Sequence, residues 1–342
     1  MHQKKLVKPK NLINSKSNII YIIQNGVYMN EYKKVFSKIG FNYLLLALIP
    51  IFFQIIIANI IALWDVNLLH NSNNQIIISS ACNYILVLPI FIFLMKRIES
   101  VDIDKESLSI QSIAKYFCIA LTLMWAGNLI GLGITALIGH TMTSEIINPI
   151  EHLIQNTNIY VNAIIVVLLA PIFEELFFRK LLIDRTIKYG AKLSILLSAL
   201  LFALFHGNLN QFFYAFFIGG FFAYVYIKTG NIKYSIILHG FVNFFGSVLS
   251  VFVTSSAQNL AHGITMANAG DISIISAYAI ILVIAWIVGL IAILTNYNKI
   301  ELNDSEREIF LEKPISTVIL NIGMICFIIF HIFKIMKSLN LL

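Results

Sequence analysis

Residues 161–180 read Val161-Asn-Ala-Ile-Ile-Val-Val-Leu-Leu-Ala-Pro171-Ile-Phe-Glu174-Glu175-Leu-Phe-Phe-Arg179-Lys180. From Ala163 to Phe173 no side chain is polar; two adjacent carboxylates then stand inside the apolar run, which Leu176, Phe177 and Phe178 continue. About 20 such residues are what a helix needs to cross a hydrocarbon core of about 30 Å. The rest of the chain has the same character. Of 342 residues, 58 % are hydrophobic and 12 % charged, and the mean hydropathy is +0.83. A soluble domain carries about twice that share of charge, so this chain cannot cover itself with polar surface and must be solvated by lipid.

Nine stretches qualify as candidate spans: 41–63, 76–95, 116–138, 161–178, 193–206, 211–227, 234–253, 272–295 and 315–333. In lipid the backbone must satisfy itself, which leaves helices or closed barrels. The expected fold is therefore all-α, a polytopic transmembrane helical bundle of eight or nine spans. A basic arm, 1–40, precedes a single transmembrane domain, 41–342; no repeat, low-complexity tract or linker marks a second one. The first 40 residues lack a short apolar run ending in small residues, so no signal peptide is expected. Cys82, Cys118 and Cys326 fall in apolar segments at unrelated spacing and read as small core residues.

The net charge of +7 raises nucleic acid as a partner, but the placement of the charges points to lipid. The arm holds Lys4, Lys5, Lys8, Lys10, Lys16, Lys33, Lys34 and Lys38 against a single Glu31. Connections 64–75, 139–160, 207–210 and 254–271 contain no Lys or Arg, whereas 96–115, 179–192, 228–233 and 296–314 do. This alternation is the positive-inside pattern. It predicts a multi-pass cell-membrane protein with its amino terminus in the cytoplasm, and no nucleic-acid partner.

A carboxylate near the centre of a membrane helix costs about 2.5–3.5 kcal/mol on insertion scales, so intramembrane ionisable groups are functional candidates. Of the 17 acidic residues only Glu174 and Glu175 lie within a predicted span, and of the eight histidines only His206 and His239 lie well inside one. Glu175 and Arg179 are four apart in the favourable acid-first order, so Arg179 can neutralise Glu175 and leave Glu174 to point elsewhere. Phe202 stands one turn before His206, and His239 one turn before Asn243. With Gly190 as the tip of a turn, Glu174 lies 16 residues before it and His206 16 after, at one height on antiparallel neighbours. Gly230 is the expected turn before His239. A buried carboxylate and an imidazole can share a water, and a second imidazole beside an amide can donate to an oxyanion. These residue types make a set for peptide hydrolysis without a covalent intermediate.

Glu174-Glu175-x-x-x-Arg179, Phe202-x-x-x-His206 and His239-x-x-x-Asn243, in that order on successive helices, resemble the CPBP family. It comprises CAAX prenyl endopeptidases of the Rce type and bacterial homologues linked to bacteriocin processing and self-immunity. The resemblance covers a core of about 161–250. It implies an intramembrane endopeptidase acting on membrane-anchored peptides or proteins, with Glu174 as general base and His206 helping to activate the water. His239 and Asn243 would form the oxyanion site, with Glu175, Arg179 and Phe202 in support. No cofactor is expected; the alternative is zinc held by Glu174, His206 and His239, although the HExxH signature is absent.

An aspartyl dyad has no candidates, because no Asp falls in a predicted span. No Gly-x-Ser-x-Gly elbow surrounds Ser198 or Ser247. Two readings compete with the protease. One is a proton-coupled transporter with Glu174 as its protonation site, against which stands the lack of internal repeats and paired broken helices. The other is a non-catalytic regulator or bacteriocin self-immunity scaffold, binding a peptide or a membrane-protein partner through the same cavity. The abundance of Ile, Asn and Lys suits an AT-rich bacterial genome, where a leader-bearing bacteriocin or signalling peptide is a more natural substrate than a prenylated protein.

Overall fold

All nine apolar stretches lie on helices in the computed structural model of the chain, which describes residues 15–142, 153–261, 263, 268–296 and 308–342. The helices are α1 (Ser15–Ala62), α2 (Ser72–Met95), α3 (Ile110–Met142), α4 (Ile159–Tyr189), α5 (Ala191–Phe205), α6 (Leu209–Thr229), α7 (Ile232–Ala261), α8 (Ala269–Asn296), α9 (Pro314–Val318) and α10 (Ile322–Ser338). Among the described residues there is no strand. Seven of the helices are long and apolar enough to cross a membrane: α1 from Asn30 onward, α2, α3, α4, α6, α7 and α8.

The other two of the nine expected stretches lie on shorter helices. Helix α5 has 15 residues, about 22 Å at 1.5 Å per residue. The last stretch is broken between α9 and α10 because the Asn321 side chain caps α10, accepting from the Met324 amide at 3.0 Å. Helix α1 runs continuously from Ser15, and Phe36 and Ile39 are fully buried.

Helix α6 is central, packed along α3 and α5, while α8 lies against α3 and the outer half of α7. Only Ala285, Gly289 and Ala292 of α8 are buried. These small residues allow the close backbone approach that holds membrane helices together. Ile280, Ile284, Ile287 and Ile291 of the same helix face outward, as a lipid-facing surface requires. Helix α1 pairs with α10, with the Gly323 amide donating to Ser37 Oγ at 3.0 Å.

The two short turns at the basic end depend on glycine. Gly190, between α4 and α5, has φ +115°, and Gly230, after α6, has φ +54°. Both values lie where a Cβ is penalised, and both glycines stand at the turns expected from the sequence. Around them the four connections that carry Lys and Arg meet at one end of the bundle. The Val101 amide donates to the Asp184 carbonyl at 2.6 Å, the Glu106 amide to Thr229 at 2.8 Å, and the Ile309 amide to Lys188 at 2.7 Å. Lys188 Nζ lies 2.7 Å from Glu99, and this hydrogen bond and its charge hold the exposed Glu99 carboxyl below the usual carboxylate range. At the opposite end, where the connections carry no Lys or Arg, polar contacts join the helices, as where the Asn158 amide donates to Asn73 Oδ1 at 2.7 Å.

Candidate active site

Helix α4 does not wind uniformly. It is π-helical over Ala163–Leu169, α-helical over Ala170–Glu175, and π-helical again over Leu176–Lys180. In the first wide stretch the Ala170 amide bonds to Ile165, five residues back. The next bond in that pattern would run from residue 171 to Val166, but proline has no N–H to give. The stranded Val166 carbonyl is taken by α7, where Asn243 Nδ2 donates to it at 2.8 Å. Buried carbonyls need such partners. The sequence thus ties α7 to α4 just before the two carboxylates.

Glu175 is fully buried. One of its oxygens lies 2.9 Å from Arg179 Nε and the other 2.8 Å from His239 Nδ1. The Arg179 guanidinium, also without exposure, lies over the Phe202 ring at 4.6 Å and reaches Ser198 Oγ at 3.5 Å. Ser198 itself donates to the Phe178 carbonyl at 2.8 Å, a structural bond. The opposite edge of the His239 ring, Nε2, faces Glu174 at 3.7 Å. This is longer than a hydrogen bond and leaves Glu174 and His239 able to share a water. Glu174 retains 28 % side-chain exposure, while His239 is buried.

His206 follows the last residue of α5. Its Nδ1 lies 2.8 Å from the Phe202 carbonyl, which can only accept, so Nδ1 carries the hydrogen and Nε2 is the acceptor in the neutral ring. Phe202 is the hub of the site, with ring centroids 4.7 Å from His206 and 5.8 Å from His239. Gly219 makes room for it, since a Cβ there would lie 2.9 Å from the Phe202 ring.

Of the residues expected from the sequence, Glu174, Glu175, Arg179, His239 and Phe202 converge, with His206 beside them across the Phe202 ring. Among the described residues, His239 is the histidine within 4 Å of Glu174. Asn243 is turned to Val166, with one amide hydrogen already engaged. Two residues went unnoticed in the sequence. Tyr84 of α2 stacks on Phe173 at 4.1 Å and lies within electrostatic reach of Glu174, as does Tyr214 of α6. The available signal was a tyrosine inside an apolar span, whose hydroxyl usually finds a polar partner.

A zinc ion would need Glu174, His206 and His239 to converge. Among the described residues no group of three or more His, Cys, Asp or Glu is arranged to hold a metal ion. The nitrogens of His239 already face the two carboxylates.

The Val166 tether gives a stability prediction. Asn243→Ala leaves that carbonyl unsatisfied and lowers stability by about 1–3 kcal/mol. Restoring the missing amide with Pro171→Ala in the same chain recovers part of the loss. Unfolding of the single and double variants in detergent measures the coupling.

Residues 156–245 match the family model described as Type II CAAX prenyl endopeptidase Rce1-like. No curated protein and no solved structure matches the chain. The matched stretch holds α4, α5, α6 and the first half of α7, and so every residue of the candidate site except Tyr84.

Proposed function

We propose, on the premise that residues 156–245 form an Rce1-like domain, that this protein is an intramembrane endopeptidase that hydrolyses membrane-associated peptides with a water activated at Glu174. One observation supports it above all. The His239 ring stands between two adjacent carboxylates, one neutralised by Arg179 and the other partly exposed. Glu175 and Arg179 orient the imidazole through Nδ1, as a buried acid orients a catalytic histidine elsewhere. Glu174 takes a proton from the water as its oxygen bonds to the scissile carbonyl carbon. The carbon–nitrogen bond then breaks, and Glu174 returns the proton to the leaving amine. With a proton on each ring nitrogen, His239 donates from Nε2 to the oxyanion beside the second amide hydrogen of Asn243, and His206 Nε2 accepts from the attacking water. The amino terminus lies on the cytoplasmic side, with the basic end of the bundle.

The test is cleavage of membrane-anchored peptides, leader-bearing bacteriocin precursors among them, by purified protein in liposomes. Cleavage that persists with chelator is expected from a mechanism without metal. Chelator-sensitive cleavage overturns that mechanism, and inertness towards every peptide overturns the enzyme.

A further inference from the structure

Beside the hydrolytic residues lies a second polar feature that the mechanism does not use. A cavity of about 230 Å³ opens between α1, α2, α5 and α10, lined by Leu46, Pro50, Gln54, Asn83, Phe205 and Lys334 among others. Its walls are apolar apart from two amides, one hydroxyl and the Lys334 ammonium. Ser79 accepts from Gln54 Nε2 at 3.3 Å on its hydroxyl and from Asn83 Nδ2 at 2.8 Å on its carbonyl, so each amide retains a further N–H. Among the described residues no carboxylate pairs with Lys334. An unpaired cation at this depth is expensive to keep and marks a binding function by default.

Two facts locate what it would bind. Lys334 lies over Gly207, the residue next to His206; a Cβ on Gly207 would stand 2.7 Å from its Cε and 2.9 Å from its Nζ. An anion on the ammonium is therefore next to His206, the residue proposed to accept from the attacking water. The cavity is also deep. Pro50 and Gln54 lie in the middle of the apolar part of α1, at about 1.5 Å per residue more than 10 Å from either end, below the level of lipid phosphates.

We infer that this cavity is a substrate subsite, in which Lys334, with Gln54 and Asn83, receives a carboxylate of the bound peptide close to the scissile bond. The carboxylate is either the peptide's free carboxyl terminus or an acidic side chain, and Lys334 acts as a specificity-determining residue outside the family-matched stretch. The subsite rests on the protease reading for its substrate but not for its chemistry.

Binding separates the two. Glu174→Gln protein in phospholipid-free detergent is titrated with four fluorescent peptides, each an apolar Leu/Ala helix followed by a short tail. Their tails end in a free acid or an amide, or carry one internal Glu or Gln with an amidated end. One acid probe is expected to bind at least about tenfold more tightly than its neutral twin, as charged hydrogen bonds are worth. Lys334→Met abolishes the preference and Lys334→Arg keeps it, with neither variant less heat-stable than its parent. Equal affinities, no binding at all, or a preference surviving Lys334→Met would overturn the subsite. So would competition by phosphatidylglycerol vesicles that erases the preference, which would assign the cavity to lipid. If wild type cleaves nothing while the Lys334-dependent preference persists, the protease reading fails and the subsite stands.

Discussion

With Glu174→Gln, peptide cleavage falls by about 10²–10⁴-fold, the usual worth of a positioned general base, while the unfolding temperature stays within a degree or two of wild type. The stability half of this outcome follows from the surroundings of Glu174. Its carboxyl is partly exposed and, among the described residues, has no hydrogen bond, its approach to His239 being 3.7 Å, so the isosteric amide breaks nothing structural. Glu174→Asp retains the acid but withdraws it by one methylene, and a misplacement of about 1 Å can cost about 10²-fold. Cleavage rate and thermal unfolding measured on the same preparations distinguish a lost base from a lost fold. Cleavage by Glu174→Gln protein at the wild-type rate would remove Glu174 from the chemistry.

The second large effect lies one turn away and is structural. Arg179→Met leaves Glu175 buried and without its cation, and breaking a buried pair from one side costs about 3–5 kcal/mol. This is a large fraction of the stability of most domains, so the variant is expected to express poorly or melt far below wild type. Arg179→Lys rescues little. Nε–carboxylate geometry together with a planar group over the Phe202 ring at 4.6 Å is something an ammonium cannot reproduce. Glu175→Gln with Arg179→Met removes both charges and recovers most of the stability, but no activity, because His239 loses its orienting carboxylate. Melting curves of the two single variants and the double variant test this. A fully stable Arg179→Met protein would show that Glu175 is held neutral.

The helices, the two glycine turns and the Glu175–Arg179 pair are legible in the sequence because each depends on short-range rules. Apolar length sets the helices, a positive φ sets Gly190 and Gly230, and four-residue spacing sets the ion pair. The shared height of Glu174 and His206 is an expectation from residue counting alone. The bond between His239 and Glu175 could not be read this way, since it joins residues 64 apart in sequence on helices whose rotation about their axes no spacing reveals. Asn243 has a further partner that spacing hides for a related reason. Its spacing from His239 suggests a shared task, and its bond to Val166 in addition answers the amide missing at Pro171, a residue on another helix. Lys334 reads as one of two charges in the carboxyl-terminal tail until α10 is seen to carry it beside His206.

The two wide turns of α4 make the aim of its carboxylates a matter of counting. Each residue advances a helix by about 100° and 1.5 Å. A wide turn advances by only about 80–90° per residue, so rewinding 163–169 as a regular helix of the same length would swing Glu174 and Glu175 by about 100° around the axis, with every side chain of the site still present. Losing one residue together with the wide turn would instead leave both carboxylates close to their present aim. In a lineage of such chains the site can fall silent through a change of winding that leaves its motif letters intact, so the length and the winding of the stretch ahead of Glu174 are as informative about activity as the identity of Glu174 itself.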